Sequence, residues 1–135
     1  MIVVDTNVIA YLFLPGDQTP QSRRALQRDS QWAAPLLWRS ELRNVLATSL
    51  RHGQLTLADA RAVMDAATDL MAGGEYDVES GVVLALASRS HCSAYDCEFV
   101  ALAHELGKRL VTADRQILAD FRDTSVSLKR FASSP

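Results

Sequence analysis

Much that would announce a function is scarce in these 135 residues. Only two cysteines occur, Cys92 and Cys97, five positions apart and with no partners elsewhere. They make no disulfide framework, and the expectation is a chain that works in a reducing cytoplasm. No apolar run approaches the ~18 residues of a membrane span. The N-terminus has no basic stretch and meets Asp5 after four residues, so no secretory signal is expected. There is no glycine-rich phosphate loop and no legible serine–histidine–acid triad. His91, Cys92, Cys97 and His104 are metal-binding types without the paired short spacings of a zinc site. Charged residues at 22% and hydrophobic ones at 48% exclude a disordered chain and supply enough apolar volume for one core.

Positive charge is scarce too, with a formal net charge of −2. Taken whole, that balance argues against a nucleic-acid partner, but its distribution does not. Between Gln18 and Gln54 six arginines (Arg23, Arg24, Arg28, Arg39, Arg43 and Arg51) face two acids, whereas from Asp59 to Glu79 six acids face one arginine. One stretch is suited to phosphate, the other is not.

What is present starts at once. Ile2, Val3 and Val4 are consecutive, apolar and β-branched, which predicts a strand buried on both faces of a parallel sheet. Asp5 stands where that strand should stop, at the end where α/β sheets gather ligands and catalytic groups. Thr6 and Asn7 are placed to cap the helix that begins with Val8. Pro15-Gly16-Asp17 reads as a turn, Gln21 to Arg28 as a short helix, and Trp32 to Ala34 as a second strand ended by Pro35. A helix from about Leu37 to His52 follows, closed by Gly53, with Trp38, Leu42, Val45, Leu46 and Leu50 as its apolar stripe. Glu41 points along that stripe, where a carboxylate is costly without a partner or a metal.

Thr56 with Asp59 opens a helix to Met71, stopped at Gly73-Gly74. Glu75 to Val78 is a short strand or link, and Glu79 to Arg89 a helix whose Gly81 predicts close packing against another helix, of this chain or of a second subunit. Ser93 caps a helix to Gly107, with Asp96 on the face of Phe99 and Val100. Glu98, about 200° away from Asp96, is predicted exposed. Arg109 to Thr112 is the next strand, Asp114 lies at its end, and Arg115 beside it is a candidate phosphate contact. Thr124 to Leu128 reads as an edge strand. Tyr11 to Leu14, together with Trp38, form a candidate apolar groove for a partner segment.

Alternating strands and helices predict a three-layer α/β/α domain with a mostly parallel central sheet. Asp5 and Asp114 would close strands on one edge, with Asp96 and Glu41 converging from flanking helices. Four such carboxylates repel one another unless a hard divalent cation, Mg²⁺ or Mn²⁺, sits among them. Such a site binds phosphate oxygens and lowers the pKa of a bound water.

Val4-Asp5-Thr6-Asn7, Ser40-Glu41-Leu42-Arg43-Asn44, Tyr95-Asp96 running into Ala101-Leu102-Ala103, and Leu110-Val111-Thr112-Ala113-Asp114 resemble the PIN-domain ribonucleases. The compact length is similar to the VapC-type toxins of bacterial toxin–antitoxin modules. The resemblance implies one PIN-like domain over residues 1–130, with a frayed tail at 131–135. It implies a metal-dependent endoribonuclease with Asp5, Glu41, Asp96 and Asp114 as catalytic, metal-binding carboxylates. Thr6, Asn7 and Thr112 would be in support. It also implies an RNA substrate, a homodimer and a cognate antitoxin, with no membrane partner. Two rivals are a non-catalytic PIN-like RNA- or protein-binding module, and a phosphatase using Asp5 as nucleophile. The first would be expected to lack one of the acids. The second wants an aspartate where Asn7 stands.

Overall fold

The structure is a computed structural model and describes residues 1–134. Strand β1 (Ile2–Val4) is buried at every position, as a strand covered on both faces must be. It pairs in parallel with β2 (Trp32–Pro35) on one side and β4 (Leu110–Thr112) on the other. β3 (Glu75–Tyr76) continues the sheet beyond β2, and β5 (Ser125–Ser127) beyond β4. The order of the five strands is β3-β2-β1-β4-β5 and every pairing is parallel. Gly74 makes the approach of β3 possible: its N–H-bearing backbone lies so close to β2 that a Cβ there would stand 2.1 Å from the Trp32 carbonyl oxygen.

The strand order sets the layers. From β1 the chain steps outward through β2 to β3, then returns past β1 to β4 and β5. Right-handed crossovers in opposite directions put their helices on opposite faces. One layer holds α1 (Thr6–Phe13), α2 (Thr19–Arg28), α3 (Leu37–Arg51) and α4 (Leu57–Met71), packed among themselves. The other holds α5 (Ser80–Ser88), α6 (Ala94–Leu106) and α7 (Arg115–Asp120), with α6 lying on β1, β2 and β4. Ile9, Trp38, Leu42, Met71, Phe99 and Leu102 are the largest wholly buried side chains and fill both interfaces. The three-layer α/β/α fold read from the sequence is the fold observed. No helix of the described residues is long and apolar enough to cross a membrane.

Several local expectations need correction. The α1 cap is Asp5 itself, whose Oδ1 accepts from the Thr6 N–H at 2.8 Å, so the helix starts ahead of Val8. α2 begins at Thr19, because Pro20 is tolerated in a first turn where its missing N–H is not needed. The stretch expected to fray from residue 131 runs as α8 (Leu128–Ser133), capped by Ser127. Leu128, Phe131 and Ala132 recur at helical spacing and are buried against α2, with the Arg28 guanidinium 5.0 Å above the Phe131 ring. Pro135 lies outside the described residues.

Gly81 is exposed, and a Cβ there would meet only the Glu79 carboxylate at 3.2 Å, so no helix among the described residues packs closely on it. α5 instead seats Val83 and Leu86 and turns Val82 and Leu84 outward. Trp38 lines no groove. It is fully buried and its Nε1 donates to Glu75 Oε2 at 2.9 Å, while Tyr11 to Leu14 are half-buried. Arg39 adds two hydrogen bonds to the same carboxylate, at 2.6 and 2.7 Å, which withdraws it from the basic face.

Candidate active site

The two strands whose chain continuations leave in opposite directions are β1 and β4, and a crevice opens between their C-terminal ends. Asp5 follows β1 directly and Asp114 lies two residues beyond β4. Glu41 enters from the second turn of α3 and Asp96 from the first turn of α6. All four acids line one cavity of about 550 Å³, and no lysine or arginine shares its wall among the described residues.

Neutral donors hold these acids. Asp5 is buried; Oδ1 takes the Thr6 N–H and Oδ2 the Thr112 hydroxyl at 2.6 Å. The Thr6 hydroxyl donates to Glu41 Oε1 at 2.7 Å, and the Asp114 N–H donates to Thr112 Oγ1 at 3.0 Å. Asp114 Oδ1 caps α7 through the Gln116 and Ile117 N–H groups, and Asp96 closes a capping box with Ser93. One continuous chain of hydrogen bonds therefore joins Asp114, Thr112, Asp5, Thr6 and Glu41.

The electrostatics follow from that arrangement. Burial pushes the Asp5 carboxyl up to about 6, with Glu41 and Asp96 adding to it and the Thr112 and Thr6 hydrogen bonds pulling back. Glu41 is raised by burial and by Asp96, against the pull of the Thr6 hydroxyl. Asp96 is raised by burial and by Asp114. These acids repel across a space holding no cation of the protein's own, which is the setting in which a carboxylate binds its proton more tightly.

The supporting residues behave differently from one another. Thr6 and Thr112 make the hydrogen bonds just described. Asn7 lines the cavity but makes no side-chain hydrogen bond among the described residues. Arg115 opens α7, exposed and outside the cavity wall. Glu98 departs from its reading as an exposed acid: it is half-buried, and burial and then Glu41 raise it. The helix-phase reading assumed one buried face, but α6 buries Cys97, Phe99, Val100, Ala101, Leu102 and Ala103 around most of its girth.

Three wall residues, Ser40, Asn44 and Tyr95, stand in the motifs quoted above but were given no role at the site. Ser40 and Asn44 are four apart and flank the helix position of Glu41, so the spacing already placed them together.

With this geometry in view, comparison with known proteins is decisive. Residues 2–125 match the PIN domain. The chain belongs to the PIN-domain family. It is 28% identical over 123 residues to Ribonuclease VapC3 of Pyrobaculum aerophilum, covering 89% of this chain and 94% of that protein. Among solved structures, the crystal structure of PAE2754 from the same organism superposes with a TM-score of 0.76 at 21% identity, over 98% of this chain and 90% of that one. A toxin–antitoxin complex from Klebsiella pneumoniae gives 0.67 at 19% identity, over 95% and 98%. At such identities the structures establish a shared fold. The PIN architecture places the crevice between β1 and β4, and the VapC-like relative spans nearly the whole of this chain.

The donor set of this PIN domain fits a hard divalent ion. It is all oxygen, it carries excess negative charge, and Glu41 Oε2, Asp96 Oδ1 and Asp114 Oδ2 accept no hydrogen bond among the described residues. No three acids, histidines or cysteines of the described residues stand close enough to enclose an ion by themselves. Mg²⁺ does not require that, since it keeps several waters and is held by one or two carboxylates.

Proposed function

We propose that this PIN-domain protein is a VapC-like toxin, an endoribonuclease that cuts RNA phosphodiesters with Mg²⁺ or Mn²⁺. The observation that carries the reading is the four-acid cavity at the β1–β4 crevice, free of protein cations and with three of its carboxyls raised. Asp5, Glu41, Asp96 and Asp114 are the residues that would hold the ion. Bound there, it would supply Lewis acidity toward water and a phosphate oxygen.

The chain's own residues do the rest. Thr112 and Thr6 favour the ionised form of Asp5 against its burial and fix its direction, and Thr6 holds Glu41 toward the same space. Asp5 is buried at the floor of the cavity, so its charge acts at a lower effective dielectric than one in open water. Arg115, exposed beside Asp114, steadies phosphate at the entrance. In-line attack by water leaves a 5′-phosphate and a 3′-hydroxyl.

The similarity to a Klebsiella toxin–antitoxin complex supports a cognate antitoxin as partner. A homodimer has apolar surface available in Val82 and Leu84 of α5. The site of action is the cytoplasm. Incubating purified protein with RNA in Mg²⁺, Mn²⁺ or excess EDTA and sequencing the ends is the deciding experiment. Metal-dependent internal cuts are expected, suppressed when the product of the adjacent gene is co-expressed. Equal cutting in EDTA, or none in either metal, would overturn the reading.

A further inference from the structure

We propose that Tyr95 is a substrate-binding residue, the ring on which a nucleobase next to the scissile phosphate stacks. The inference rests on the ribonuclease reading above and adds the group that seats the base.

Tyr95 is the second residue of α6, immediately before Asp96. It lines the acid cavity yet is 62% exposed, and it is the one aromatic among the large apolar side chains that the described residues leave in solvent. The other four, Leu36, Leu57, Val82 and Leu84, lie outside that cavity wall. The Tyr95 hydroxyl makes no hydrogen bond and its ring meets no cation among the described residues. No contact among the described residues accounts for an aromatic held at this place. The place itself is rigid: Ser93 caps the turn, Asp96 returns the capping bond, and Cys97 behind it is buried.

The rest of the wall divides into two chemistries. One is the four acids. Asn7, Ser40 and Asn44 are neutral, exposed and without side-chain hydrogen bonds among the described residues, so their donors and acceptors remain available. A nucleotide carries the matching pair of parts. Its phosphate requires the acids through a cation, and its base is neutral, flat and edged with donors and acceptors. Stacking one base on an aromatic ring changes affinity by roughly five- to a hundredfold. Such a base must leave its own helical stack, which a ring beside the reacting phosphate would favour.

The test uses an RNA oligonucleotide spanning a mapped cut site, and the same strand made abasic at either nucleotide flanking the cut. Binding is followed by fluorescence anisotropy in Ca²⁺, a hard ion that takes oxygen ligands, and kcat/KM is measured in Mn²⁺, for the unaltered protein, Tyr95→Phe and Tyr95→Ala. On intact RNA, Tyr95→Ala should bind about tenfold more weakly and Tyr95→Phe within twofold of the unaltered protein, since the ring remains. At one flanking position the abasic strand should weaken the unaltered protein by about as much, and Tyr95→Ala no further. All three proteins should melt alike, because the side chain is exposed. Equal binding of intact RNA by Tyr95→Ala, or an equal loss on intact and both abasic strands, overturns the assignment while cleavage by the unaltered protein still stands. Absence of cleavage by the unaltered protein in Mn²⁺ would instead remove the ribonuclease reading itself.

Discussion

The Thr6 hydroxyl donates to Glu41 Oε1 at 2.7 Å, tying the helix after β1 to the helix after β2. With the Thr112 bond to Asp5, it shows how this cavity keeps its acids in place: by neutral donors, not by counter-charges. Neutral donors orient a carboxylate and leave its charge available to a cation.

Thr112→Val removes a buried hydroxyl that donates to Asp5 at little change in volume. That hydrogen bond favours the ionised carboxyl, so its loss should raise Asp5 above about 6. In EDTA the variant should lose about 1–3 kcal/mol at pH 8, where Asp5 is charged in both states, and less at pH 5. Denaturant titrations at the two pH values test this. A cost independent of pH would mean that packing and the bond Thr112 accepts from the Asp114 N–H, not Asp5, are what it serves.

Asp5→Asn should be tolerated without metal. The folded carboxyl is raised from 3.8 to about 6, so the native state disfavours the charge. The stability sign follows: no penalty below the unfolded value, a growing one as pH climbs between the two, and a full one above about 6. At 1.36 kcal/mol per unit the penalty is at most about 3 kcal/mol. Near neutral pH in EDTA the variant should melt no lower than the unaltered protein, and it should gain much less from saturating Mn²⁺. A ligand at a hundredfold over Kd stabilises by about 2.7 kcal/mol. A variant that melts far lower in EDTA would make Asp5 chiefly the α1 cap.

Asp96→Asn and Glu98→Gln should differ in kind. The first loses a wall acid and should cost most of the cleavage. The second removes a half-buried charge beside Glu41 and should keep activity within a few-fold, moving the acidic limb of the pH–rate profile downward. Comparable losses would make Glu98 a fifth member of the acid group.

Arg115→Ala should weaken RNA binding for any sequence and reduce the slope of log K against log salt by about one. The residue is exposed and forms no ion pair among the described residues, so its charge is available to phosphate. An unchanged slope would leave it as ordinary surface.

Much of this protein could be read in its residues because the reasons are local. Three β-branched or apolar residues before Asp5 make a buried strand whatever surrounds them. Thr56 with Asp59 and Ser93 with Asp96 form capping boxes, and Gly107 takes the left-handed turn at φ +63 that ends α6. Glu41 and Asp96 reveal their inward direction by spacing against their own apolar stripes. Tertiary structure alone decided what covers each face. Asp5 meets Thr112 across 107 positions, and Trp38 and Arg39 meet Glu75 across 37 and 36. Glu98 is half-buried because α6 is enclosed on more than one side, and Tyr95 is exposed because no neighbour reaches it. Residues 131–133 are ordered because α2 lies beneath them. Periodicity orients a side chain only relative to its own helix or strand; whether it then meets protein, a counter-charge or open solvent depends on segments that only the folded sheet order brings together.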